Sequence, residues 1–260
     1  MTDDLRYPEL RGKNVLVTGG SRGIGEATVR DFAAVGANVF FNYRASSSRS
    51  DELVAELGKE HAAATQADLA DLSDVERLWE EAVSWKGGID VVVHNASVRE
   101  PIPLDAPTSE WDEHWLSALR VNLVAPAHLS RFAIKHFLGR GCQGVIIGLT
   151  GRIAVRGDYP EYLQDGAAKG GLNSMLRGIA SGFAKNDILT YLISGGIIET
   201  DQARSQFDAQ GGRERYMAEI PMGEFGTVQD ISELILFLST GRARYSTGST
   251  IDATGASFLH

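Results

Sequence analysis

The sequence predicts a single domain over residues 1–260, an α/β fold of the doubly wound, Rossmann type, with a parallel sheet covered by helices on both faces. Three observations carry this. Short apolar runs alternate with helix-forming stretches along the chain, the pattern of strands buried on both sides. The first run opens directly into a glycine-rich turn and then a helix, TGGSRGIG at 18–25. No linker, repeat or low-complexity segment interrupts the 260 residues, a length at which one core still suffices.

The elements follow in order. NVLV at Asn14–Val17 predicts the first strand, and helix-forming residues then run to about Ala34. ANVFF at 37–41 is a second strand, stopped by NYRASSSR, and 51–60 reads as a helix. Ala62–Gln66 is a weaker third strand ending at Asp68. The helix over 74–84 has Ser73 and Glu76 at capping-box spacing, with Asp71 placed to compete for the cap. IDVVV at 89–93 is the fourth strand; after a polar segment a long helix covers 112–137. VIIGL at 145–149 and ILTYLI at 188–193 are the fifth and sixth strands, with a helix over 166–184 between them. The polar stretch 196–220 is irregular or a pair of short helices and reads as a cover over the substrate. Val228–Ser239 is helical, and 249–252 forms a short last strand after the turn pair Thr247-Gly248.

Composition narrows the function. A net charge of -9 argues against a nucleic-acid partner, which needs a basic surface. The single cysteine, Cys142, excludes an intrachain disulfide and fits a reducing compartment. The acidic, polar start is unlike a secretory signal, and no apolar run reaches membrane-spanning length. These features predict a cytoplasmic protein with no membrane partner. The six histidines and one cysteine show no zinc-like spacing, so no metal is expected.

The glycine turn carries the chemistry. Gly19, Ser21, Gly23, Ile24 and Gly25 lie where a tight turn meets a helix N-terminus, whose free N–H groups and dipole suit a dinucleotide pyrophosphate. The second strand ends in Asn42-Tyr43-Arg44, without the acidic residue that usually holds an NAD ribose. Arg22 and Arg44 are suited to pair with a 2′-phosphate, so NADP is the expected cofactor. Asp68 and Leu69, after the third strand, are candidates for the adenine side, although Asp68 also suits a local turn.

At this point the chain resembles the short-chain dehydrogenase/reductase family, from about residue 11 to 260. The resemblance rests on TGGSRGIG, Asp68, His94-Asn95-Ala96-Ser97, Asn122 in VNLVAP, Lys169 in GAAKGGLNSM, and GGIIET at 195–200. The resemblance implies that Asn95, Ala96, Gly196, Ile198 and Thr200 line the cofactor, that Lys169 anchors its ribose, and that Asn122 supports the active site. It also implies a symmetric homo-oligomer, a tetramer ahead of a dimer, built through the helices at 112–137 and 166–184. The chain departs from the pattern at Gly151, where a serine is usual, and at Asp165, where the tyrosine four residues before the lysine is usual. Ser97, Tyr191 and Gly195 are further departures.

Hydride transfer to a polarised double bond needs an acid or an electrostatic group facing the developing charge. Tyr162 lies seven residues before Lys169, a spacing similar to that of the family's enoyl-thioester reductases, and it is the first candidate. Tyr159 competes with it, and Thr150 is a weak stand-in for the serine. Asp165 is either an acid or an ion-pair partner of Lys169. His94 reads as a structural histidine rather than a base. Three functions stay open for a small-molecule substrate. The first is NADPH-dependent reduction of a conjugated double bond, as in an enoyl thioester. The second is carbonyl/hydroxyl oxidoreduction with an altered acid, and the third a catalytically inactive NADP(H)-binding regulator. In the substrate cover, Arg204, Phe207, Arg213, Arg215 and Tyr216 suggest an anionic or long ligand.

Overall fold

The computed structural model describes residues 6–201, 203–204 and 212–259. In chain order it contains β1 (Asn14–Val17), α1 (Gly23–Ala34), β2 (Asn38–Tyr43), α2 (Ser47–Leu57), β3 (Ala62–Gln66), α3 (Leu72–Lys86), β4 (Val91–His94) and α4 (Thr108–Leu119). These are followed by α5 (Ala125–Arg140), β5 (Gly144–Gly151), the short α6 (Ile153–Arg156), α7 (Leu163–Phe183), β6 (Ile188–Gly195), α8 (Arg213–Ala218), α9 (Val228–Ser239) and β7 (Thr250–Ala253). The strands form one parallel sheet in the order β3-β2-β1-β4-β5-β6-β7. The order reverses between β1 and β4, which opens a crevice at the carboxyl edge of the sheet where ligands bind in this architecture.

Strand alternation divides the core into two layers. Val15, Val17, Val39 and Phe41 face Phe32 of α1 and Ile235 of α9. Leu16, Phe40, Val92 and Ile146 face Leu78, Leu129, Phe137 and Leu172 of α3, α5 and α7. Burying a side chain of this kind stabilises by roughly 1.5–3 kcal/mol, and a strand shifted by one residue would exchange its two faces.

Three local outcomes differ from the sequence reading. The cap of α3 is Asp71: its carboxylate accepts the Ser73 N–H at 2.8 Å and the Ser73 hydroxyl at 2.7 Å. The Ser73–Glu76 box therefore does not form, and α3 begins at Leu72. The helix carrying Lys169 starts at Leu163, after a 3₁₀ turn at Pro160–Tyr162. Finally, the long helix is divided: a π-helical turn at Arg120–Val124 joins α4 to α5. Pro126 explains it, because proline has no N–H to bond the carbonyl four residues back and its ring crowds that carbonyl. The Ala125 N–H instead reaches the Arg120 carbonyl, five residues back.

Candidate active site

The glycine turn is pinned between β2 and β4. Asn95 donates from Nδ2 to the carbonyls of Thr18 and Gly19 at 2.8 and 3.0 Å. The Asn95 and Ala96 N–H groups donate to the Thr18 hydroxyl at 3.0 and 3.1 Å. On the other side Asn42 accepts the Gly19 N–H through Oδ1 at 2.9 Å and donates to the Ala67 carbonyl at 3.0 Å. Gly19 has φ +68, and a Cβ on Gly25 would stand 2.2 Å from the Gly19 carbonyl oxygen, so neither position tolerates a side chain without movement. No side chain caps the start of α1; its free N–H groups open toward a cleft of about 650 Å³.

That cleft gathers most of the predicted cofactor residues. Gly19, Ser21, Arg22, Gly23 and Ile24 form one wall; Asn42, Tyr43, Arg44, Asp68 and Leu69 form the next; Asn95, Ala96 and Thr200 continue it. Arg22 and Arg44 are exposed, and among the described residues neither guanidinium pairs with a carboxylate. Asp68 accepts the Ala70 N–H at 2.9 Å while lining the cleft, so it makes the local turn as well. Gly25, Lys169, Gly196 and Ile198 do not reach the cleft wall. Gly25 packs on the turn, and a Cβ on Gly196 would meet the Thr254 backbone at 2.7 Å. Ile198 is buried in the core. Sequence reasoning missed Arg49, a further cleft residue, which pairs with Glu26 at 2.8 Å and approaches Asp201 at 3.9 Å.

Beyond the glycine turn, the C-terminal ends of β4 and β5 meet the first turns of α7. Lys169 is buried and donates from Nζ to the Leu149 carbonyl at 2.9 Å. Burial pushes its ammonium below the ordinary lysine range, and the charge of Asp165 pulls the other way. These two residues stand four positions apart in α7, which puts their side chains on one face of the helix. Asp165 is also buried, and both its oxygens accept hydrogen bonds. Oδ1 takes one from Asn122 Nδ2 at 3.0 Å, and Oδ2 one from Arg99 Nη1 at 2.6 Å. Asn122, in the π-helical turn, is fixed in turn by the Val98 backbone, accepting at 2.9 Å and donating at 2.8 Å.

The cluster corrects two expectations. The ion-pair partner of Asp165 is Arg99, not Lys169. Arg99 also holds Asp158, through both of its terminal nitrogens. Burial disfavours the guanidinium charge, but the two carboxylates outweigh it and raise the Arg99 pKa. Tyr162, the first candidate for the substrate-polarising group, is the residue capping α7 and lies outside it, so the seven-residue spacing does not run through continuous helix. Its ring sits beneath the Arg99 guanidinium, 3.9 Å from centroid to Cζ. Arg99 and Asp158 escaped the sequence reading. The available signal was an acid at position 165 in a site that must be dry, because a buried carboxylate requires a cation.

His94 is buried with Nε2 2.9 Å from the Ser130 hydroxyl; burial, then the Lys169 charge, pushes its pKa down to about 3, so it is neutral. The Thr150 hydroxyl is buried and has no hydrogen-bond partner among the described residues. In the stretch 196–220, Arg204 and Arg213 both converge on Glu199, which offsets the positive charge expected there for an anionic ligand. Arg213 also stacks over Phe225 at 4.5 Å, and Phe207 lies outside the described residues. Among the described residues no group of three potential metal ligands occurs, and no helix is long and apolar enough to cross a membrane.

Comparison with known proteins places this geometry in context. A family model described as enoyl-(acyl carrier protein) reductase matches residues 19–255. The chain is 32% identical over 256 residues to 3beta-hydroxysteroid dehydrogenase 1 of Eggerthella lenta, covering 98% of this chain and 97% of that protein. It is 30% identical to the 3-oxoacyl-(acyl-carrier-protein) reductase FabG of Staphylococcus aureus, over 95% of this chain and 98% of the other. The crystal structure of a 3-ketoacyl-(acyl-carrier-protein) reductase from Brucella melitensis, complexed with NADH, superposes with a TM-score of 0.84 at 27% identity, covering 96% of this chain and 100% of that one.

Proposed function

Because this chain belongs to the short-chain dehydrogenase/reductase family and is an oxidoreductase, we propose that it interconverts a carbonyl and a hydroxyl group on a small molecule with NADP(H) as cofactor. The observation that carries the reading is the continuity of the cleft. It begins at the uncapped N-terminus of α1 and ends at Arg99, which touches the Asp165 cluster.

The residues present fit a nicotinamide dinucleotide. The turn at Gly19–Gly25 is a cradle that a Cβ would fill, and the free N–H groups of α1 suit a pyrophosphate. Arg22 and Arg44, with no carboxylate paired to them among the described residues, favour a 2′-phosphate; this supports NADP(H) over NAD(H). When bound, the nicotinamide ring supplies or takes up the hydride. The chain's own residues then have separate tasks. Asn95 holds the turn in shape and Asn122 keeps Asp165 in place, while membership of the family assigns the ribose to Lys169, whose ammonium donates here to the Leu149 carbonyl.

Carbonyl/hydroxyl chemistry is preferred to double-bond reduction for two reasons. The hydroxysteroid dehydrogenase and the 3-oxoacyl reductase are named for it, and Tyr162, on which the enoyl reading depends, is held under Arg99. The family model's description keeps enoyl reduction as the second arm of the test. The test is cofactor oxidation or reduction with a panel of ketones, secondary alcohols, 3-oxoacyl thioesters and enoyl thioesters, with NADPH and NADH compared. Turnover of a ketone or alcohol, faster with the phosphorylated cofactor, is expected. Turnover confined to the enoyl thioesters would reverse the choice.

A further inference from the structure

We propose that Arg99 polarises the substrate oxygen in this protein, giving the hydrogen bond that the residues at 151 and 165 cannot give. The inference rests on the carbonyl/hydroxyl reading above and names the group that would serve it.

The argument is a census of donors. Polarising a carbonyl requires an N–H or O–H aimed at the place where negative charge develops. Gly151 offers none, although a Cβ there would meet nothing closer than 3.5 Å, so lack of room does not account for the missing side chain. Asp165 meets two donors with its two oxygens, which makes it an acceptor. Thr150 is not on the cleft wall. Lys169 is turned to the Leu149 carbonyl.

Arg99 differs from all of these. It lines the cleft, and its side chain keeps 27% exposure while those of Asp158 and Asp165 keep 1% and 3%. A guanidinium has five N–H donors. Three contacts go to the two carboxylates, and the others have no partner among the described residues. The carboxylates hold one edge of the group and the Tyr162 ring covers one face at 3.9 Å, so the group is fixed in orientation. A donor fixed in advance stabilises developing charge better than a mobile one, which must reorient as the charge forms.

In this arrangement Asp165 and Asp158 are positioning residues for Arg99, which explains why an acid stands at 165 and a base at 99. In the reductive direction the carbonyl carbon accepts hydride from the dihydronicotinamide and the C=O electron pair moves onto oxygen. That oxygen hydrogen-bonds to Arg99 and takes its proton from solvent. Arg99 stays protonated throughout, as arginine does in proteins.

The experiment compares Arg99→Gln, Arg99→Lys, Asp165→Asn and the double variant Arg99→Gln/Asp165→Asn, with thermal unfolding as the control for folding. Arg99→Gln is expected to lower kcat by about a hundred- to a thousandfold while the NADPH Kd stays within about twofold of the parent. Arg99→Lys preserves the charge beside Asp165 but not the fork; it covers the case in which the glutamine variant fails to fold, and it should lose at least about tenfold in kcat. The double variant separates donation from charge neutralisation: it should remain as slow as Arg99→Gln. A second readout needs no turnover. The infrared carbonyl band of acetophenone bound together with NADP⁺ should shift to lower frequency in the parent and in Asp165→Asn, and lose that shift in Arg99→Gln. Recovery of activity in the double variant would overturn the proposal. So would an acetophenone band that is absent from the parent or identical in the parent and Arg99→Gln. If the parent shifts the band yet turns over no ketone or alcohol, the carbonyl/hydroxyl reading fails and the role of Arg99 stands.

Discussion

Replacing Gly25 by alanine tests whether the glycine turn is held by packing as closely as the geometry indicates. Two effects oppose each other. Alanine is favoured over glycine in a helix by up to about 1 kcal/mol, and Gly25 lies in the first turn of α1. Against this, the added Cβ would stand 2.2 Å from the Gly19 carbonyl oxygen and 2.5 Å from Asn95 Nδ2. Neither neighbour can yield cheaply, because Gly19 is backbone at φ +68 and Asn95 is tied to two carbonyls. Overpacking of this kind costs about 3 kcal/mol, and loosening either Asn95 bond adds about 1 kcal/mol. The net expectation is destabilisation by roughly 2–3 kcal/mol, or a Tm lower by about 4–10 °C for a chain of this length. NADPH affinity should fall by at least about tenfold, since the turn that shifts is the one cradling the pyrophosphate. Gly139→Ala, in the last turn of α5 with nothing within 4 Å, is the control and should be neutral or slightly stabilising. Circular dichroism melts and fluorescence titration with NADPH measure both quantities. A Gly25→Ala protein with the parent's Tm and NADPH affinity would refute the reasoning.

Four further outcomes are expected. Arg44→Ala should weaken NADPH far more than NADH in the same titration; equal or tighter NADH binding by the parent would reject the 2′-phosphate assignment. Light scattering should report a symmetric oligomer, a tetramer ahead of a dimer. The long helices leave Leu116 and Leu138 half exposed, and a mass near 28.1 kDa at micromolar concentration would exclude it. Tyr162→Phe preserves the ring beneath Arg99 and should hold kcat within a few-fold, whereas a hundredfold loss would return the polarising role to that hydroxyl. His94 has its folded-state pKa lowered from 6.5 to about 3, so the unfolded chain binds the extra proton. Its contribution to stability is complete above pH 6.5 and declines by up to about 1.4 kcal/mol per pH unit toward pH 3. His94→Asn should flatten the Tm-versus-pH curve over that window, and an unchanged slope would contradict a buried neutral imidazole.

The parts of this molecule that local chemistry determines could be read from the sequence. The strand at Asn14–Val17 followed by glycines has one structural meaning, and the Asn95 position follows from the strand that ends beside the turn. The α9 boundaries were legible because Val228–Ser239 is bounded by a capping threonine and by small polar residues. The α3 cap was less so: Asp71 and Ser73 both qualify as cap residues, and the structure uses the Asp71 carboxylate, which accepts the Ser73 N–H. The Arg99 cluster was not legible. Arg99 meets Asp158 and Asp165 across 59 and 66 positions of chain, and no periodicity reports such a pairing. Asn42 lines the cleft with the other expected residues, and its amide has a second task that the sequence did not reveal. A polar residue at the end of a strand can serve a ligand or its own backbone, and here Gly19 and Ala67 claim it.

The π-helical turn has a consequence for phase. Each residue advances an α-helix by about 100°, so the fifth residue in a turn that would ordinarily close in four rotates everything before it relative to everything after. The rod formed by α4 and α5 therefore carries two faces set independently. Its second half buries Leu129, Ala133 and Phe137 against the sheet, while its first half buries only Ala118 and stacks Trp111 against Trp115 at 6.0 Å. Pro126 is the joint between them, and Asn122 sits at the widened turn where neither half dictates its aim. The change of phase lets one rod bury its second half against the sheet while its first half packs beside α7, the helix that carries Asp165.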